Sequence, residues 1–302
     1  MRAAVTAVSA GAALIGLSLA TPASATPAPF FFSTGSPDGR IATATRPDSS
    51  AGFEIESADD FVLTSPTALT SATFTGLMPA NAAVEQVVVE IYRVFPSDSN
   101  VGRTSGPPTF STPKVPTRVN SPSDVALDSR DSSAGELNFS TSLLASSFTA
   151  ANSVRPGGIH AFPGQTTGGN GDVTGTEVQF GVTFTTPIDL PADHYFFVPQ
   201  VLLDTTGTLN GDFLWLSAPK PIVSPPGTPF PPGFTDLQSW TRDAALDPDW
   251  LRVGTDIVGG SPAPTFNETF SVTGQTIVPE PATLLMLGTA LAGLGLLRRR
   301  AL

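Results

Sequence analysis

Carboxylates are the commonest reactive side chains in this sequence. Glu54, Glu56, Glu90 and Glu177 all fall in stretches whose alternation predicts β-strand. Glycoside hydrolysis requires only two acids roughly 5–10 Å apart, so a concave sheet face holding such a pair could act on a glycan. The plainer reading, that each lines the solvated side of its strand, is preferred. Nucleophilic hydrolysis has fewer candidates. Only His160, in a Gly/Pro loop, and His194, beside Asp193, could serve as a base, and no Gly-x-Ser-x-Gly elbow accompanies them. Asp193 and His194 are adjacent, and neighbours on a strand point to opposite faces. Calcium is the more plausible inorganic partner. Asp59-Asp60, Asn170-Gly171-Asp172, Asn210-Gly211-Asp212 and Asp247-Pro248-Asp249 offer the oxygen ligands a hard cation takes. None has EF-hand spacing, and Asx-turn capping explains each without a metal; Asp59 and Asp60 are the candidate ligands. Trp240 and Trp250 sit among polar residues, where planar rings could stack on sugars as a carbohydrate-binding site, whereas Trp215, inside Phe213–Leu216, reads as core. Threonine pairs such as Thr73/Thr75 and Thr183/Thr185 share no common period, which argues against a registered ice-binding ridge.

These residues must be positioned by strands. Gln86–Phe95, Leu137–Leu144, Glu177–Thr186 and His194–Leu203 carry period-two or continuous apolar patterns, and Val178, Phe180, Val182 and Phe184 keep the alternation without a break. Proline-rich stretches at 96–122 and 219–232 predict long loops. Residues 236–245 are ambiguous: Leu237, Trp240 and Ala244 have helical spacing, yet Trp240 and Trp250 fit two strands equally well. Many short strands, scarcely any helix and no fixed repeat predict an all-β sandwich of jelly-roll type, with long Pro/Gly-rich loops. The chain has no cysteine, which removes thiol catalysis and Cys-ligated metals and leaves the core to stabilise the fold. With 15 basic and 26 acidic residues the net charge is −11, and four of the basic residues, Arg2 and Arg298–Arg300, lie in the terminal segments. So acidic a remainder argues against nucleic acid as a partner.

The two ends carry addresses. Arg2, the small and apolar run Ala3–Ala20 and the small-x-small site Ala23-Ser24-Ala25 predict a secretory signal peptide over 1–25, cleaved after Ala25. At the other end, Val278-Pro279-Glu280-Pro281 precedes an uncharged apolar run, 282–297, and then Arg298-Arg299-Arg300. Sixteen helical residues span roughly 24 Å, short of a hydrocarbon core of about 30 Å, so the arginines would snorkel or the bilayer thin. Arginines at the end of the run place it as a transmembrane helix with Arg298–Arg300 inside and the rest of the chain outside. The predicted organisation is a signal peptide (1–25), a β-sandwich ectodomain (26–274), a tether with the Pro-Glu-Pro motif (275–281) and a C-terminal transmembrane helix (282–302).

This tail resembles the PEP-CTERM sorting signal of exported bacterial proteins, with all three parts present in order over Val278–Leu302. The resemblance implies recognition of Val278, Pro279, Glu280 and Pro281 by a membrane-embedded exosortase. It also implies retention by Arg298, Arg299 and Arg300, cleavage near the motif, and a Gram-negative setting that makes exopolysaccharide. The expected protein is a non-enzymatic envelope or extracellular-matrix component without a cofactor. It is expected in the inner membrane first and then at the cell surface, with extracellular polysaccharide as a candidate partner. The alternatives are a secreted carbohydrate-binding module using Trp240 and Trp250, and a glycan-active hydrolase.

Overall fold

Alternation along the chain becomes sheet pairing in a computed structural model that describes residues 26–95, 119–159, 166–244, 246 and 250–278. Residues 1–25, where a signal peptide is expected, the Pro-Glu-Pro motif beyond Val278 and the C-terminal apolar run lie outside these residues. So do His160, Asp247–Asp249 and most of the first proline-rich loop. Among the described residues no helix is long and apolar enough to cross a membrane.

The strands in chain order are β1 (Pro29–Ser33), β2 (Ala42–Ala44), β3 (Ile55–Leu63), β4 (Thr67–Met78), β5 (Val84–Arg93), β6 (Asp128–Asp131), β7 (Leu137–Ala150), β8 (Ser153–Val154), β9 (Val173–Leu190), β10 (Asp193–Leu203), β11 (Leu214–Ala218), β12 (Trp240–Asp243), β13 (Leu251–Arg252), β14 (Asn267–Glu268) and β15 (Phe270–Thr276). The described residues are all-β apart from two short helical turns, Pro156–Gly158 and Val253–Val258. One sheet runs β1-β15-β4-β9-β7, with β11, β14, β2 and β8 extending from one end of β4. The other runs β13-β12-β3-β10-β5-β6. The four-strand orders β1-β15-β4-β9 and β3-β10-β5-β6 are those of a double Greek-key jelly roll. Every pairing between these eight strands is antiparallel.

The core lies between the sheets because period two places one apolar row of each strand there. Phe74 and Phe180 stack 4.9 Å apart, and Phe197 on the opposite sheet stacks on Phe270 at 5.1 Å. Gly76 is obligatory for this packing: a Cβ there would run into the Phe213 ring and the Leu214 carbonyl. We predict that Gly76→Ala lowers stability by about 1–3 kcal/mol, the usual cost of overpacking, measurable by urea denaturation; an unchanged midpoint would show that Phe213 can move aside.

Two expectations shift in detail. The ambiguous segment 236–245 supplies a strand, β12, because Trp240–Asp243 pair with Ala58–Ile55 of β3. The last strand extends past the expected boundary at 274. The Thr276 amide donates to the Ala28 carbonyl and that of Ile277 to the Pro66 carbonyl, and Pro27–Ile277 forms one compact unit. The outer face of the second sheet is also covered. Ala58, Tyr92, Phe196, Val198, Trp240 and Trp250 form a small buried cluster there, backed by Val94, Ala126 and Leu237.

Candidate functional site

On that outer face, alternation along β3 lines up Glu54, Glu56, Ala58 and Asp60, while β5 contributes Glu90 and Tyr92. Antiparallel pairing sets Arg242 of β12 directly opposite Glu56. Arg242 Nε donates to Glu56 Oε2, and the Tyr92 hydroxyl reaches over β10 to Glu56 Oε1 at 2.5 Å. Tyr92 also lies 3.0 Å from Glu90 Oε2, Arg242 NH2 donates to its oxygen at 3.2 Å, and Gln200 donates to Glu54 at 3.0 Å. The guanidinium caps the Trp250 ring, 4.4 Å from its centroid. Glu54, Glu56, Glu90, Tyr92 and Arg242 line a cavity of about 420 Å³.

Electrostatics divide the three acids. Burial works to raise Glu56, but the adjacent Arg242 charge and the hydrogen bonds from Arg242 and Tyr92 outweigh it and hold Glu56 below the usual range. Glu90 is pushed up to about 8 by burial and then by repulsion from Glu56 and Glu54. Glu54 is also raised, by burial first and then Glu56. At neutral pH the chain therefore runs from protonated Glu90 to Tyr92 to ionised Glu56. Oxygens of Glu54, Glu56 and Glu90 lie within 4.8 Å of one another, the spacing a divalent cation would use. Arg242 already supplies positive charge there.

A second group of acids is buried more deeply. Asp59 and Asp60, the candidate calcium ligands, leave β3 on opposite faces and do not converge on one ion. Asp60 Oδ2 meets His194 Nε2 at 2.5 Å and accepts the Leu237 amide, whereas Asp59 Oδ2 accepts the Glu268 amide at 2.8 Å. Asp59, Asp60 and Glu268 are at most 1% exposed, and each keeps one oxygen without a hydrogen-bond partner. Burial raises all three well above the carboxylate range. Asp60 adds to this for Asp59, Asp236 for Asp60, and Asp59 for Glu268. Lys220 partly offsets the effect while holding Asp236, Leu237 and Asn267. His194 is lowered to about 4 by burial. Burial thus drives both Asp60 and His194 toward their neutral forms, and the pair sits against the rings of Phe230 and Phe234.

The tryptophan expectation is corrected. Trp240 is 2% exposed and Trp250 is fully buried, so neither presents a ring face to a sugar. Trp240 lies on β12 and Trp250 immediately before β13, at one edge of the second sheet, and both rings pack into the buried cluster with Tyr92, Phe196 and Val198, an arrangement that the polar neighbours of both residues conceal. Trp215 is core, as expected, with its indole N–H on the Thr269 carbonyl. The loops at Asn170–Asp172 and Asn210–Asp212 do approach each other. Asp172, Asn210 and Asp212 line a cavity of about 390 Å³, but Arg155 occupies Asn170 and Asn210, and Arg46 occupies Asp212. Glu177 lies on the other sheet, on β9. Sequence reasoning singled out Glu54, Glu56 and Glu90 but missed Arg242 and Glu268, and considered Tyr92 only for its ring. The register of β12 on β3 reveals Arg242, the placement of β5 beside β10 reveals Tyr92, and β14 brings in Glu268.

No curated protein and no solved structure matches this chain. One family model does match, and it matches the end that the sequence alone marked out. That motif implies export to the cell envelope or surface and recognition by exosortase, a membrane protein. Residues 278–300, from Val278 of the Pro-Glu-Pro entry to the last of the three arginines, carry the PEP-CTERM protein-sorting motif.

Proposed function

We propose that this protein is a non-enzymatic envelope or extracellular-matrix component. It is exported by its N-terminal signal, held by its C-terminal helix and handed to exosortase for delivery to the surface, among extracellular polysaccharide. The sorting motif carries the delivery part of this reading. The state of Glu56 supports the non-enzymatic part: both of its oxygens are engaged, by Arg242 and by Tyr92, and the residue is 4% exposed. A nucleophile or base must aim a lone pair at substrate, whereas each Glu56 oxygen already accepts from a donor inside the protein. The test is replacement of Pro279-Glu280-Pro281 by three alanines, followed by cell fractionation. We expect the variant to remain in the inner membrane while the wild type reaches the surface; surface delivery of the variant would defeat the reading.

One observation favours a glycan-active hydrolase as the second reading: a protonated Glu90 beside an ionised Glu56, the acid and carboxylate pairing that glycosidases use. Under it, the protein would release sugar from an extracellular polysaccharide and Glu90→Gln would abolish the release. Absence of any release by wild type would leave the non-enzymatic reading in place.

A further inference from the structure

Among the described residues, strand β7 is unlike every other sheet edge: it pairs on one side with β9 and has no strand on the other. Its fourteen residues, Leu-Asn-Phe-Ser-Thr-Ser-Leu-Leu-Ala-Ser-Ser-Phe-Thr-Ala, contain neither charge nor proline, and nine of them are exposed, Leu143 by 66% and Leu144 by 49%. An open edge is a row of unpaired N–H and C=O groups, and natural sheets blunt such edges with charge, proline or brevity. Here the other edges are blunted. β6 is Asp-Ser-Arg-Asp, β8 and β13 have two residues each, and β1 begins at a proline. The register irregularities of β7 fall after Leu143, so Leu137–Leu143 is a regular, seven-residue open template.

The orientation of that template follows from one hydrogen bond. The Thr185 amide donates to the Glu136 carbonyl, toward β9. Strand alternation then aims the backbone groups of Asn138, Ser140 and Ser142 at β9 and those of Leu137, Phe139, Thr141 and Leu143 outward.

Charge selects the occupant. The molecule carries a net −11, so two copies repel over most of their surface. Residues 137–154 contain no charged side chain at all. An antiparallel overlap of two Leu137–Leu143 segments about a two-fold axis near Ser140 sets uncharged residues opposite uncharged residues. It continues the nine-stranded sheet from one molecule into the next. We propose that β7 is a self-association edge, through which two copies of this chain join by strand addition. The inference concerns assembly and does not depend on whether the protein is an enzyme or on how it is sorted.

Sedimentation velocity of the full chain in mild detergent, over a concentration series, tests this. Wild type is expected to dimerise. Thr141→Glu adds an exposed carboxylate to each edge near the two-fold axis and should weaken the dimer at least about tenfold. Thr141→Pro should do the same without added charge, by removing an outward N–H. Leu209→Glu, at a position 93% exposed in the loop between β10 and β11 and outside the Leu137–Leu143 template, is the control and should dimerise like wild type. A wild type that stays monomeric throughout, or a Thr141→Glu variant that dimerises like wild type, would overturn the proposal. Thr141→Glu keeps the test valid if the proline variant does not fold.

Discussion

Replacing Arg242 with methionine is expected to lower the unfolding free energy by about 3–5 kcal/mol at pH 7, the cost of stranding a buried carboxylate without its cation. The side chains of Arg242 and Glu56 are 6% and 5% exposed, so solvent does little to screen the pair. Loss of the guanidinium removes the Glu56 contact, the contact to the Tyr92 oxygen, the bond to the Asp124 carbonyl and the packing on Trp250. The pH dependence provides the sharper test. In wild type, Glu56 is held below its ordinary value, so its contribution is present above about pH 4.5 and is lost as pH falls through the depressed folded value. Without Arg242, only the hydrogen bonds with Tyr92 and Glu90 oppose burial, and Glu56 is expected to rise toward the raised acids Glu54 and Glu90. On acidification the variant should therefore gain stability relative to wild type. Adding Glu56→Leu should recover much of the loss, since an apolar pair can replace a buried ion pair. Urea denaturation at pH 7 and pH 4 measures both effects; a variant within about 1 kcal/mol of wild type at pH 7 would show that the pair does not hold this face.

The second large effect concerns Asp59, Asp60 and Glu268. Burial raises their folded values well above those of ordinary carboxylates. The sign is opposite to that of Glu56. Their stabilisation is complete below about pH 4 and is lost as pH rises through the raised folded values, because the unfolded chain ionises first. Stability should consequently increase as the solution is brought from pH 8 toward pH 5, until the Glu56 contribution begins to fall. Asp59→Asn and Glu268→Gln remove the ionisation. Each should flatten this slope and add on the order of 1–3 kcal/mol at pH 7, the scale of an unsatisfied buried polar group. A wild-type stability that is flat or rising between pH 5 and pH 8 would count against this account.

The carboxylate face shows how far sequence reasoning reaches. Glu54, just before β3, and Glu56 on it share a face because they are two apart in extended chain, and Glu90 shares one with Tyr92 on β5 for the same reason. Period two reports the side of a strand on which a residue lies. It does not report the neighbouring strand. Arg242 stands 186 positions from Glu56 and meets it only because β12 pairs with β3. Trp240 and Trp250 failed as surface residues for a related reason. Their sequence neighbours are polar, yet their surroundings are Tyr92, Phe196 and Val198 from strands far away in sequence.

The sequence by itself determined the sorting tag and the all-β character. Each of these resides in a continuous run whose order or alternation acts locally. Whether an acid is ionised, whether a tryptophan is exposed and whether an edge is open were decided by tertiary structure alone. Those properties depend on burial and cross-strand register, which bring together residues more than a hundred positions apart.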